Sequence, residues 1–542
     1  MKGLMMDYPL TLTQFFERSR RLFAKKTLAT RIPSQPLFRY TYAEFAERVR
    51  RLAGGLRALD IRPGDRVGTF MWNCHQHLEA YWAIPMMGAV LHTVNFRLAP
   101  PDIAYIVTHG GDTILIVGAS VWPLLEPMRR ELTTVREIVI VRDTADARLP
   151  VGGLEYEDLL RRGAPVAEWP QLDERDAAAM CYTSGTTGHP KGVVYSHRAL
   201  YLHSLGMAQA DSFALSERDV ILHIVPMFHA NAWCVPFAGV MVGATQIFGG
   251  PSPQPRDIVE MTEQERVTVV GAVPTVWIGV KEICEREGHD ISSIRLIPCG
   301  GSAAPRSLIE LFDEKFGVPM LHAWGMTETT PVGTLSRLKS YMEPWPDDQK
   351  YTVRAKQGFP SVCVDLRIVD EQGRVAPWDG KTMGEIQVRG PWVTSGYYKA
   401  DSTDHFTEDG WFKTGDVGTI DPEGYIQITD RTKDVIKSGG EWISSVDLEN
   451  LIMAHPKVLE AAVVAVPHPK WIERPLACVV PKPEHHGSLT AGEIIEFLRP
   501  QVARFWLPDD VVLIEAVPKT SVGKFDKKVL RERFKDWPPK AG

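Results

Sequence analysis

Between residues 41 and 141 the sequence alternates two periodicities, and this alternation restricts the fold more than any other feature. TYAEFAERVRRLAGGLRAL opens with Thr41 and Glu44 in capping-box spacing and repeats Phe45, Val49, Leu52 and Leu56 at helical intervals. The turn Arg62-Pro63-Gly64-Asp65 leads into an apolar run over 67–72, a helical stretch over 77–87, the short run Ala89-Val90-Leu91 and a third helix over 101–109. Apolar runs at 113–117, 135–141 and 267–270 continue the pattern. Such a succession predicts α/β layers with largely parallel strands.

The texture changes over 384–429, where GEIQVRG, DGWFKTGDVG and PEGYIQITD read as hairpins rather than βα units. Beyond Asp430 the spacing predicts helices over 445–453 and 490–501 and strands over 461–466, 476–480 and 511–514. The polar stretch DRTKD at 430–434 suits an exposed hinge, as it would a surface turn. The fold class expected is α/β: a large N-terminal domain (1–430) of layered α/β subdomains plus a β-hairpin-rich region, and a small mobile α+β C-terminal domain (431–542).

Composition narrows the function classes. With 61 Lys and Arg against 67 Asp and Glu, a net charge of −6 gives no overall basic footprint for nucleic acid. The seven cysteines include no CxxC pair, against a disulfide framework or a zinc site. The N-terminus lacks the apolar core of a signal peptide, and no run reaches the ~18 apolar residues of a membrane span. A cytoplasmic protein is expected.

The stretch YTSGTTGHPKGVVYSH at 182–197 concentrates candidate chemistry between two apolar runs. Gly185, Gly188 and Gly192 allow backbone N–H groups to turn inward, Ser184, Thr186 and Thr187 add hydroxyls, and Lys191 adds a cation. The spacing is neither a Walker A motif nor a dinucleotide fingerprint. Composition alone leaves two readings, a polyphosphate cradle and a polar turn.

The stretch resembles the phosphate-binding motif YTSGTTGxPKG of the adenylate-forming (ANL) superfamily, which includes acyl-CoA synthetases, luciferases and peptide-synthetase adenylation domains. PMFHANAW at 226–233, GGSAAP at 300–305, HAWGMTETTP at 322–331, DGWFKTGD at 409–416, DRTKDVIKSGGEWIS at 430–444 and PKTSVGKFDK at 518–527 resemble its later motifs, in order. VVYSHRAL, VPMFHANAW and IKSGGEWISSVDLE are most similar to the branch of bacterial medium- and long-chain fatty-acyl-CoA synthetases and related ligases for short thioether acids.

The resemblance implies an acid–thiol ligase that uses ATP and Mg²⁺ to make an acyl-adenylate and then passes the acyl group to coenzyme A. It assigns Thr183, Ser184, Gly185, Thr186, Thr187, Gly188 and Lys191 to the β- and γ-phosphates, Thr327 to the α-phosphate, and Glu328 with Thr183 to the metal. Gly301, Ser302, Ala303, His322, Ala323, Trp324, Gly325 and Met326 would surround the nucleotide, Trp324 stacking on adenine where relatives more often carry tyrosine. Asp416 would accept from the ribose hydroxyls, near Arg431 and Trp442. Lys524 would bridge the substrate carboxylate and the α-phosphate, Lys433 would be the hinge, and Lys437 would act on the face presented after rotation.

His229, with Ser438, Gly439, Gly440 and Glu441, would line the coenzyme A tunnel. Ala230, Trp233, Val273, Thr275 and Gly300 would form an acyl pocket, with Trp233 as a gate. Without the flanking motifs several of these residues have plainer roles: Glu328 as a capping or solvated acid, Asp416 as a turn aspartate, His229 and Trp233 as packed core, Gly439-Gly440 as a turn, and Lys524 as part of a solvated basic stretch.

No acidic residue lies over 227–237, where amino-acid-activating relatives place one, so an uncharged acyl tail is expected, medium- to long-chain fatty acids first. Each buried methylene adds ~0.8 kcal/mol to that preference until the pocket ends. The alternatives are a short thioether or branched acid such as methylmercaptopropionate, an adenylating enzyme that loads a carrier protein, and a catalytically silent nucleotide-binding scaffold. The resemblance suggests a homodimer.

Overall fold

Thr41 caps the first long helix as its spacing predicts. In the computed structural model its hydroxyl accepts from Glu44 N at 3.2 Å, the Glu44 carboxylate accepts from Thr41 N at 2.6 Å, and the helix runs Tyr42–Ala58. The structure describes residues 1, 3–147, 153–183, 189–370, 372–400, 403–438, 441–519 and 525–538. Ser184, Gly185, Thr186, Thr187, Gly188, Gly439, Gly440 and Lys524 lie outside them, as does the side chain of Glu441.

The described chain packs as two compact units. The first comprises 1–183, 190–365 and 389–403. Its largest sheet has the strand order Leu154–Glu155, Glu137–Val141, Asp112–Gly118, Arg66–Phe70, Val90–Thr93, Ala177–Tyr182, Gly192–Ser196. All neighbours are parallel except the last pair. The helices His75–Met86 and Pro100–Gly110 make the crossovers, and Val and Ile runs such as Glu137–Val141 are buried because both sheet faces are covered. The helix expected over 77–87 starts two residues earlier, where the Thr30 hydroxyl accepts from His75 N at 2.9 Å and meets its Nδ1 at 3.1 Å. A tertiary contact, invisible to local periodicity, supplies that cap.

A second sheet of the same unit orders Val269–Gly271, Val220–His223, Thr245–Phe248 and Thr27–Thr30 in parallel and ends in an antiparallel hairpin with Phe38–Thr41. A third pairs Ile297–Cys299 in parallel with Met320–Gly325, followed by Val332–Leu335 and Phe359–Pro360. The carboxyl ends of parallel strands in such sheets are the usual place for a ligand crevice.

Among the described residues the second unit comprises His189, residues 366–388 and the chain from Asp404. Its hairpin region has strands Gly384–Arg389, Phe412–Ile420 and Ile426–Arg431. Its later part sets Val458–His468, Ile472–Pro481 and Asp510–Leu513 beside helices Ser445–Met453, Ala491–Leu498 and Lys527–Phe534, around buried Leu448, Ile452, Val463, Val479, Ile494 and Leu498. The helix expected over 490–501 ends at Leu498 because Pro500 has no N–H to continue the ladder. No helix among the described residues is long and apolar enough to cross a membrane.

Candidate active site

The glycine-rich loop leaves the end of one strand and returns into its antiparallel neighbour, with Tyr182 opposite Gly192. Its neck is closed twice: Thr183 N donates to the Lys191 carbonyl at 2.9 Å, and Lys191 N donates to the Thr183 hydroxyl at 3.1 Å. The Thr183 hydroxyl keeps its own proton and a second lone pair for a ligand. Space at Gly192 is tight, since a Cβ would stand 3.1 Å from both Tyr182 and Tyr398.

Gly300 and Gly301 follow the strand Ile297–Cys299, whose neighbour Met320–Gly325 carries the next motif. A Cβ on Gly300 would lie 2.8 Å from the Ala323 carbonyl, and Gly301 adopts φ +82° with Val273 Cγ1 3.1 Å from where a Cβ would be. Ser302 and Ala303 are exposed on that loop. His322 lies beneath it, its Nε2 accepting from Ala304 N at 3.3 Å and its Nδ1 donating to the Ala355 carbonyl at 2.9 Å. Burial pushes its pKa down to about 4, so the ring is neutral and holds the loop's shape. Gly325 admits no side chain because the Pro331 carbonyl occupies that space. Trp324 is buried, its indole over Gly333, and Met326 is half-buried.

Thr327 and Glu328 open a short 3₁₀ turn, and both are nearly buried at 8% and 6% exposure. The Tyr397 hydroxyl donates to Glu328 Oε1 at 2.7 Å, and the ring of the same tyrosine lies 4.9 Å from the Lys191 ammonium. Sequence reasoning missed Tyr397; its one signal is the Gly396-Tyr397-Tyr398-Lys399 cluster at the edge of the hairpin region. One oriented carboxylate beside a lysine fits Mg²⁺, which takes few protein ligands and fills its octahedron with phosphate oxygens and water. Glu328, with the Thr183 hydroxyl, would hold it.

On the acyl side the motif PMFHANAW has an unusual backbone. Ala230, Asn231, Ala232, Trp233 and Cys234 form a left-handed turn, with φ from 44° to 58°. Each non-glycine residue in that region costs roughly 1–2 kcal/mol. The surroundings compensate: Asn231 Oδ1 accepts from the Cys181 thiol at 3.0 Å, and Phe237 N donates to the Cys234 carbonyl at 3.1 Å. Trp233 is buried, and a Cβ on Gly271 would sit 3.1 Å from its ring. His229 and Val273 are half-buried, and Thr275 is exposed in the first turn of its helix.

In the second unit Asp416 and Arg431 face each other across paired strands and form an ion pair of 2.7 Å, the carboxylate buried and the guanidinium half in solvent. Solvent reaches Lys433, yet its pKa is pushed down to about 8, first by partial loss of hydration and then by the charges of Arg531 and Arg431. Lys437 pairs with Trp442, its ammonium 5.6 Å from the indole. Ser438 is buried and accepts from Arg474 at 3.0 Å. Lys519 and Phe525 bridge the ends of the segment that contains Lys524. Lys527, in the stretch read as basic and solvated, is instead buried, its ammonium 2.6 Å from both Glu449 and the Ser445 hydroxyl.

Residues 16–398 match the family described as AMP-binding enzyme, and residues 447–524 match AMP-binding enzyme C-terminal domain. The chain is 50% identical over 536 residues to a long-chain-fatty-acid–CoA ligase of Thermus thermophilus, covering 98% of this chain and 97% of that one. It is 41% identical to a 3-methylmercaptopropionyl-CoA ligase of Ruegeria lacuscaerulensis, covering 99% of each. Among solved structures, ATP-bound MatB from Rhodopseudomonas palustris superposes with a TM-score of 0.82 at 27% identity, over 98% of this chain and 99% of that one. The ordered motifs, the layered α/β architecture and these matches agree: the chain belongs to the AMP-binding enzyme family.

Proposed function

We propose that the chain is an ATP-dependent acyl-CoA synthetase acting on medium- to long-chain fatty acids. The observation that carries this reading is the chain of contacts from Lys191 through Tyr397 to Glu328, beside Thr327 and the Gly300-Gly301 loop. These contacts bring a lysine and a buried carboxylate onto one tyrosine, a donor set suited to a metal-bound polyphosphate. The identity to a long-chain ligase supports the acyl class.

In the first half-reaction a carboxylate oxygen bonds to the α-phosphorus, the bond to the bridging oxygen breaks, and pyrophosphate leaves. The nucleophile is already an anion, so no general base is required. The task is to bring anions together and to meet the charge that develops on phosphorus. Lys191 and Thr183 hold the leaving phosphates, the Thr327 hydroxyl donates to the α-phosphate, and Lys524 spans carboxylate and phosphate. Mg²⁺, when bound with ATP, neutralises phosphate charge. Gly301, Ser302 and Ala303 let the nucleoside approach the backbone, Gly300 lines the acyl pocket, and Asp416 accepts from the ribose.

In the second half-reaction the sulfur of coenzyme A bonds to the acyl carbon and AMP leaves with the oxygen that joined them. The segment after residue 430 turns about Lys433, withdrawing Lys524 and presenting Lys437, Ser438, Gly439 and Gly440 to the thiol, which His229 separates from the acyl pocket. Such a change of face would keep water from an anhydride that it hydrolyses. A cytoplasmic homodimer belongs to the same proposal, and light scattering tests the oligomer.

An acid panel from three-carbon thioether acids to long fatty acids, scored by kcat/KM with coenzyme A saturating, tests the substrate class. A steep rise with chain length supports it. A maximum at methylmercaptopropionate would favour the second reading, which the identity to a 3-methylmercaptopropionyl-CoA ligase supports. Acyl transfer to a carrier protein but not to coenzyme A would overturn both.

A further inference from the structure

Tyr195 lies at the end of the strand that returns from the glycine-rich loop, and nothing in the mechanism above uses it. Its ring is 2% exposed and packs in the main core with Leu200, Met227 and Phe237. Its hydroxyl emerges from that core and donates to the Thr327 main-chain carbonyl at 2.8 Å. Among the described residues Thr330 N also donates to this carbonyl, at 3.4 Å. The phenol therefore makes the short bond that fixes the peptide plane just behind the Thr327 hydroxyl.

The rest of the turn is held equally firmly. Thr394 N donates to the Glu328 carbonyl at 2.8 Å, and Met326 N donates to the Thr329 hydroxyl at 3.0 Å. Tyr195 is the part of this scaffold that comes from the phosphate-loop strand. Burial, followed by the neighbouring Cys181, Cys234 and Glu328, drives its pKa well above that of an ordinary phenol, so the group remains a neutral donor.

On the neighbouring strand the Cys181 thiol donates to Asn231 Oδ1 at 3.0 Å and contacts the Thr93 hydroxyl at 3.1 Å. Buried contacts thus link the left-handed turn at 230–234, through Asn231 and Cys181, to the strand pair that carries Tyr195, whose hydroxyl reaches Thr327.

We propose that Tyr195 is a positioning residue for acyl-adenylate formation, orienting the Thr327 hydroxyl toward the α-phosphate through its bond to the Thr327 carbonyl. This rests on the proposed assignment of Thr327 to the α-phosphate. It concerns the first half-reaction alone, because the donor is needed where charge grows on phosphorus.

Tyr195→Phe keeps the ring and removes the donor. It is expected to lower kcat for carboxylate-dependent pyrophosphate exchange about tenfold, the loss associated with one hydrogen bond, with the KM for ATP changed less than about twofold. Thioester formation from supplied acyl-adenylate and coenzyme A stays within about twofold of wild type. Both rates are expressed per mole of folded enzyme, counted by near-ultraviolet circular dichroism.

In a Thr327→Ala background, where no hydroxyl remains to be aimed, adding Tyr195→Phe costs less than about twofold more. An equal loss in both half-reactions, or a full tenfold loss persisting in the Thr327→Ala background, overturns the proposal. If Thr327→Ala leaves exchange unchanged, the assignment of Thr327 fails first, and the role of Tyr195 falls with it.

Discussion

The Tyr397 hydroxyl donates to Glu328 at 2.7 Å while the face of the same ring meets the Lys191 ammonium at 4.9 Å. One side chain thus spaces the expected metal ligand from the expected phosphate ligand. A buried carboxylate that loses a donor is costly, and its orientation is no longer defined.

Tyr397→Phe should therefore raise the Mg²⁺ concentration giving half-maximal pyrophosphate exchange by about tenfold or more, in the range typical of lost outer-sphere partners. A magnesium titration of exchange at saturating ATP checks this. An unchanged titration curve would detach Glu328 from the metal.

Gly300→Ala places a methyl 2.8 Å from the Ala323 carbonyl, and backbone cannot yield as a side-chain tip can. The loop must shift away from the strand Met320–Gly325. We expect the KM for ATP to rise about tenfold, in line with ~1–3 kcal/mol for forced overpacking. Steady-state kinetics with varied ATP would show it.

Asp416 is buried against Arg431 at 2.7 Å, and its proposed role is to accept from the ribose hydroxyls. Wild type should discriminate against 2′- and 3′-deoxy-ATP. Asp416→Asn should lower kcat/KM for ATP about tenfold, as expected for a charge-assisted hydrogen bond, and narrow that discrimination. Equal discrimination in both proteins would move the ribose elsewhere.

Lys433 carries a pKa of about 8 against an ordinary value of 10.5. Below pH 8 it is protonated both folded and unfolded, and partial loss of hydration, with the charges of Arg531 and Arg431, opposes folding to an extent that the solvent reaching the side chain reduces. Between about 8 and 10.5 the unfolded chain binds the extra proton, so stability rises with pH across that window. Lys433→Met should accordingly be the more thermostable protein at pH 7, with its advantage shrinking toward pH 10. Thermal unfolding at the two pH values tests this.

Much of this fold was legible because local and tertiary preferences agree. Thr41 and Glu44 form the capping box that their spacing predicts, and the apolar run that precedes the glycine-rich loop is the strand Ala177–Tyr182. The left-handed turn at 230–234 was not legible: Ala230, Ala232 and Trp233 have no preference for positive φ, and only contacts with distant residues such as Cys181 impose it. Tyr397 was hidden because a tyrosine after glycine reads as hairpin until its partner, 69 residues away, is known. Lys527 reversed its expectation for a similar reason, since Glu449 and Ser445 receive it from a separate helix.

The central claim is that an acid's own oxygen becomes bonded to the α-phosphorus of ATP. Turnover with carboxylate-¹⁸O-labelled fatty acid, coenzyme A and ATP tests it directly, by mass spectrometry of the AMP. The account predicts one labelled oxygen in the AMP phosphate for each thioester formed. Unlabelled AMP at full thioester yield would contradict it.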